Sequence, residues 1–174
     1  MANRIIIATA LAALLGLTAG QAAVADVTVQ GPGVSAINLE QTLGPGKRHI
    51  TIAVVEPKGG TTLDKEAFPQ TALPEGGGYI LKAPNEADRW EVSAYMFMPS
   101  QIIVNEGDEV TLEYVGINGA EHPAQIEGYD VEFTVKRGQV TVVQFAADKA
   151  GVFQILCPVH HPSMRGELIV LPRT

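Results

Sequence analysis

The sequence predicts an all-β protein, an antiparallel sandwich with Greek-key connections. Three observations carry that reading: short segments of alternating apolar and polar residues recur from Trp90 to the C-terminus, turn signals separate them at regular spacing, and no segment carries a helical period of any length. The 174 residues, 46% of them hydrophobic with 18 Gly and 11 Pro, suit one globular domain and exclude a disordered or collagen-like chain.

The elements follow in order. Residues 1–25 read as an export signal: Arg4 is the positive n-region, Ile5 to Leu17 is an apolar run too short for a membrane span, and Ala23-Val24-Ala25 is a small-x-small cleavage site before Asp26. Residues 26–87 form an N-terminal, β-rich extension. It is punctuated by Gly31-Pro32-Gly33, Gly44-Pro45-Gly46, Gly59-Gly60 and Gly76-Gly77-Gly78, with strands expected at His49–Val55 and Tyr79–Lys82. No chemistry-bearing motif is visible in it, and His49 reads as a solvated surface residue.

Residues 88–174 form the regular domain. Trp90, Val92, Ala94 and Met96 alternate against Glu91, Ser93 and Tyr95, as a half-buried strand does. Gln101–Val104 leads through Asn105-Glu106-Gly107-Asp108 into Glu109–Val115, and a loop from Gly116 to Gln125 follows. Further strands are expected at Val131–Val135, Val140–Phe145, Val152–Cys157 and Glu167–Leu171.

Charge narrows the function. With 12 Lys+Arg against 19 Asp+Glu the net charge is −7, so there is no broad basic surface for nucleic acid or an anionic membrane. After signal cleavage no membrane span remains. An exported chain with one cysteine is not a disulfide-stapled domain, so Cys157 needs another explanation, either an inert buried thiol or a metal thiolate.

The neighbours of Cys157 decide between these. Cys157-Pro158-Val159-His160-His161-Pro162-Ser163-Met164 places one thiol, two imidazoles and a thioether between a strand and the final strand. That is the donor inventory of a mononuclear copper electron-transfer site, with two imidazoles and a thiolate in a plane and a weak axial thioether. The run supplies one imidazole to such a plane, because adjacent residues of an extended loop point to opposite sides. A second must come from elsewhere, and His122 is the candidate apart from His49. One Cys, two His and a Met make a poor closed zinc site. A dinuclear copper centre with two bridging thiolates is excluded within a chain that has one cysteine.

These residues resemble the cupredoxin family. Cys157 and His161-Pro162-x-Met164-Arg165-Gly166 are similar to the ligand loop of amicyanin and pseudoazurin, with one extra residue between Cys and His. Ala147-Asp148-Lys149-Ala150-Gly151-Val152-Phe153 resembles the preceding strand of nitrosocyanin and of the cupredoxin domain of nitrous oxide reductase. Asn118 and His122 resemble the upstream Asn and His pair of small blue copper proteins. The likeness spans about Trp90 to Pro172.

The resemblance implies a cupredoxin-like sandwich with one copper, His122, Cys157 and His161 as equatorial ligands and Met164 as the axial one. His160 stands as the alternative to His161: counting back from Met164 favours His161, while the Cys-x-x-His spacing seen in plastocyanin and nitrosocyanin selects His160. The implied function is an exported, periplasmic type 1 copper protein, not an enzyme, carrying single electrons to or from a redox partner such as a cytochrome or copper enzyme. Copper homeostasis or delivery is the alternative, although Tyr95-Met96-Phe97-Met98 reads first as strand core. A nitrosocyanin-like redox enzyme is disfavoured, because Met164 stands where that family carries a further His.

Overall fold

The computed structural model describes residues 26–30 and 46–173. The export signal expected over 1–25 and the turn at Gly31-Pro32-Gly33 lie outside the described residues. Among the described residues no helix forms, and the strands in chain order are β1 (Asp26–Gln30), β2 (Lys47–Val55), β3 (Lys58–Thr62), β4 (Tyr79–Lys82), β5 (Arg89–Ala94), β6 (Met96–Met98), β7 (Gln101–Asn105), β8 (Glu109–Gly116), β9 (Glu121–Ile126), β10 (Val131–Lys136), β11 (Val140–Ala146), β12 (Gly151–Leu156) and β13 (Arg165–Leu171).

Two five-stranded sheets, β1-β11-β8-β2-β6 and β10-β9-β12-β13-β7, make the sandwich, and β3-β5-β4 form a small third sheet. Period-two burial drives the two large sheets together. Val110, Leu112 and Tyr114 of β8 and Leu168 and Val170 of β13 are buried while their neighbours in sequence are not, so each strand presents one apolar face to one core. Tyr114 packs against Phe133 at 4.5 Å and Phe97 at 5.8 Å between ring centroids.

Pairing is not antiparallel throughout, as the sequence suggests. β2 runs parallel to β8 from Lys47↔Glu109 to Val54↔Gly116, and β7 runs parallel to β13. Asn105 to Asp108 carries the chain from β7 in one sheet to β8 in the other, so each of the two meets a strand distant in sequence. The turn is pinned by Asp108: its Oδ2 accepts the Asn105 N–H at 2.9 Å and lies 3.2 Å from Arg48 Nε, and its Oδ1 accepts from Arg173 at 3.1 Å. That knot sits at the start of β8, and the Cys157 loop lies at the other end of the sandwich.

The N-terminal extension is structural. Its β1 pairs with β11 and its β2 lies between β8 and β6, so the boundary at residue 87 marks a change of composition and passes through one sheet. In the small sheet β3 and β4 of this extension flank β5 of the following residues.

Three strands are not expected from the sequence. β1 is a five-residue edge strand. β3, Lys58-Gly59-Gly60-Thr61-Thr62, carries turn-like glycines, yet pairing with β5 holds it extended, and a Cβ on Gly60 would meet Arg89 Cζ at 2.9 Å. β9 contains Pro123, which sits where β10 is the one neighbour, because β12 joins β9 at Ile126 and Gln125 alone. The segment from Trp90 to Met96 also departs from its expected alternation. It breaks at Tyr95 into β5 and β6, and Trp90, Ser93 and Phe97 are the buried positions while Val92 is exposed. Ser93 turns inward because its hydroxyl donates to Glu56 Oε1 at 2.9 Å.

The Tyr114 hydroxyl is fully buried with no hydrogen-bond partner among the described residues, and burial pushes its ionisation far above the ordinary tyrosine range. Tyr114→Phe keeps both ring contacts and removes that unsatisfied group. It is expected to leave stability unchanged or raise it by up to about 1 kcal/mol in urea unfolding, and a clear loss would mean that the hydroxyl is paired.

Candidate metal centre

The alternation of β9 turns His122, Ala124 and Ile126 toward the core and Glu121, Pro123 and Gln125 outward. An imidazole thus occupies a fully buried position at the first inward step of the strand. Its Nε2 lies 3.0 Å from the Asn118 carbonyl. A carbonyl only accepts, so Nε2 carries the proton and Nδ1 presents its lone pair to the interior.

Asn118 is itself clamped. Its Oδ1 accepts the Glu56 N–H at 2.7 Å and its Nδ2 donates to the Glu56 carbonyl at 2.8 Å, tying the β8–β9 loop to the end of β2. Gly119, at φ +81°, lets that loop cross the imidazole; a Cβ there would lie 2.6 Å from His122 Cε1.

Cys157 follows β12 directly and is fully buried. The loop after it closes through three backbone bonds: His160 N–H to the Cys157 carbonyl at 3.2 Å, Met164 N–H to the His160 carbonyl at 3.0 Å, and Cys157 N–H to the Met164 carbonyl at 3.0 Å. The first of these is a tight turn that folds the His160 ring back onto the thiol. His160 Nδ1 lies 3.4 Å from Cys157 Sγ and 3.2 Å from His122 Nδ1, and the three donor atoms fall within 4.8 Å of one another.

The group brings together His122, Cys157 and His160, the alternative to His161, and leaves His161 outside it. That side chain is exposed, its carbonyl accepts the Gly78 N–H at 3.0 Å, and its ring lies against Gly76, outside the cluster. Between His160 and Met164 the chain makes a five-residue turn closed by the Met164 N–H to His160 carbonyl bond. Met164 is fully buried in the same apolar cluster as Cys157. His49, by contrast, is half-buried on β2 with Nε2 at 2.8 Å from Glu113 Oε1. Met98, read from the sequence as strand core, is exposed.

Burial favours the uncharged form of both donors on the loop. Burial pushes the Cys157 thiol above its ordinary range, against backbone hydrogen bonds from Val159 and His160. Burial and the adjacent His122 lower His160, so it stays neutral with a free lone pair. His160 Nδ1 stands between the other two donors, at 3.2 Å and 3.4 Å, and all three lie within 4.8 Å of one another, a spacing at which one ion would reach them all. One soft and two borderline donors, held at that spacing, fit copper.

Several contributors are not visible in the motif. Tyr95, at the break between β5 and β6, stacks on His160 with centroids 3.9 Å apart and planes at 29°, and lies 5.3 Å from His122. Its placement depends on the strand break, so alternation alone misassigns it. Glu56 is buried beneath it, with Oε2 at 2.9 Å from Lys58 Nζ. A buried carboxylate one residue beyond a strand was the available sign.

An apolar two-sheet sandwich with a His/Cys/His group at one end defines a class, small β-proteins built to hold one metal ion at a pole. Residues 81–170 match the family described as cupredoxin-like domain, and the chain belongs to that family. Nitrous-oxide reductase of Ralstonia nicotianae is 30% identical over 107 residues, which make up 58% of this chain and 17% of that protein. The chain thus spans less than a fifth of that relative's length. Among solved structures, copper nitrite reductase from Nitrosomonas europaea is 19% identical over 73% of this chain and 42% of its own, with a TM-score of 0.48. Auracyanin A, a blue copper protein from Chloroflexus aurantiacus, is 18% identical over 43% of this chain and 88% of its own, with a TM-score of 0.35.

The carboxylate beneath Tyr95 makes an acid-stability prediction. Burial works to raise Glu56, but hydrogen bonds from Lys58 and Ser93 and the Lys58 charge outweigh it, so its folded pKa lies below the ordinary 4.5. A lowered folded pKa stabilises the protein above 4.5, and this contribution disappears as pH falls through the folded value. Urea unfolding as a function of pH is expected to show a shallower loss of stability below pH 4.5 for Glu56→Gln than for the unaltered protein.

Proposed function

We propose that this protein is an exported, periplasmic type 1 copper protein that carries single electrons between redox partners and catalyses no reaction of its own. The observation that carries this reading is the convergence of His122 Nδ1, His160 Nδ1 and Cys157 Sγ, with His122 and Cys157 buried and His160 half-buried. His122, Cys157 and His160 would hold the ion, with Met164 as a further, weaker donor. When bound, copper supplies a one-electron Cu(I)/Cu(II) couple whose potential responds to the axial donor and to hydrogen bonds around the sulfur.

The chain's own residues supply rigidity and exclusion of water. The Asn118 carbonyl holds the proton of His122 on Nε2, the three-bond closure of the loop sets the distance from His160 to Cys157, and Tyr95 covers the His160 ring. A cage that needs little rearrangement suits electron transfer better than metal release. Exposed Val159 and Ile117 give the same end of the sandwich apolar surface for close approach of a partner. The net charge of −7 favours a basic redox protein, with association slowed by salt. No helix of the described residues is long and apolar enough to cross a membrane, and export rests on the signal read over residues 1–25.

Cu(II) titration of the exported protein tests this. One equivalent is expected to raise an intense thiolate-to-copper absorption band that Cys157→Ser and His160→Ala abolish and His161→Ala retains. Met164→Leu is expected to keep the band and raise the reduction potential, because a weak donor to Cu(II) is lost. A copper spectrum indifferent to Cys157→Ser overturns the type 1 assignment.

A further inference from the structure

The Gly76-Gly77-Gly78 segment, which enters the sequence as turn punctuation, lies as a strap across the ligand loop. Gly77 bridges His161 in parallel, the Gly78 N–H donates to the His161 carbonyl at 3.0 Å, and the Ser163 hydroxyl donates to the Gly78 carbonyl at 2.6 Å. That carbonyl also accepts the Tyr95 N–H at 3.0 Å. One peptide group therefore joins the outer side of the loop to the residue whose ring stacks on His160.

The contact is close enough to demand glycine. A Cβ on Gly78 would lie 2.6 Å from Ser163 Oγ and 2.8 Å from the His161 carbonyl oxygen, and one on Gly76 would lie 2.6 Å from His161 Nδ1. Gly76 and Gly77 have φ of +123° and +70°, which L side chains rarely adopt. Gly78 has no such φ, so its lack of a side chain answers to the contact alone.

We infer that this strap is a positioning element that selects His160 over His161 as the imidazole facing Cys157 and His122. Two adjacent histidines compete for one position, and their backbone must be held in one of two phases. Pairing to Gly77 and Gly78 fixes the His161 peptide outward, which leaves His160 inward, and the Gly78–Tyr95 bond sets an aromatic surface against the chosen ring. The strap comes from the excursion between β3 and β4, so ligand choice at the C-terminal loop is set by a segment some 80 residues away.

This inference rests on the copper reading, and its test separates the two. Gly78→Ala adds a methyl group into the contact; Ser163→Ala removes one bond and adds nothing. In the metal-free exported protein, the NMR shifts of the His160 ring, which carry the ring current of Tyr95, are expected to move toward those of an unstacked imidazole in both variants. With Cu(II), His160→Ala alone is expected to weaken binding roughly 10- to 100-fold and His161→Ala to leave it unchanged. In either strap variant the His160→Ala penalty is expected to shrink by about tenfold, and His161→Ala is expected to remove a second EPR species.

Unchanged His160 ring shifts in both strap variants, or in Ser163→Ala where Gly78→Ala does not fold, overturn the inference. So does a His160→Ala penalty that the strap variants leave intact. Moved ring shifts without any Cys157-dependent copper band uphold the strap and remove the copper reading.

Discussion

Everything at the metal end depends on the closure of Cys157–Met164 by its own backbone. A buried thiol and two imidazoles are costly to bring together at the end of an apolar core, since each polar donor forfeits water and gains few partners. The bonds from His160 to Cys157, Met164 to His160 and Cys157 to Met164 satisfy the main chain of the loop internally. They also convert eight residues between two strands into a rigid ring. In the closed loop the His160 ring lies beside Cys157 Sγ.

Around this closure the protein spends its N-terminal half. Glu56 at the end of β2 holds Asn118, Asn118 holds His122, and the buried Glu56 carboxylate holds Ser93, two residues before Tyr95. Tyr95 covers His160, and its N–H reaches Gly78, which also receives Ser163. The path runs from β2 through the third sheet to the ligand loop by hydrogen bonds and one aromatic stack. Residues 46–98 are therefore the outer support of the group formed by His122, Cys157 and His160. Such support is what fixes tautomer and ring orientation in metal sites.

Both ends of β8 show the same economy. At one end Asp108 gathers Arg48, Asn105 and Arg173 from three parts of the chain, and at the other Asn118 gathers β2 and β9. Between them the strand is apolar on its inner face. Polar knots at the poles with an apolar middle let a sandwich without disulfides hold its loops in place.

Much of this was legible in the amino-acid order. Strict alternation marks β8, β10 and β13 because one face of each is buried, and the Cys157 run, with its only thiol among two imidazoles and a thioether, announces a soft-metal site through donor chemistry alone. His122 was legible as a donor but not as a strand residue, since Pro123 masks an alternation that a one-sided neighbour permits. The choice between His160 and His161 was not legible, because a spacing count cannot tell on which side of the histidine an extra residue will be absorbed. In three dimensions the turn from Cys157 to His160 sets the His160 ring beside Cys157 Sγ and leaves His161 exposed. Sequence alone thus determined the sandwich and the soft donor set before its last strand; tertiary structure decided which imidazole stands beside Cys157 and His122, because that depends on hydrogen bonds between segments that no local pattern connects.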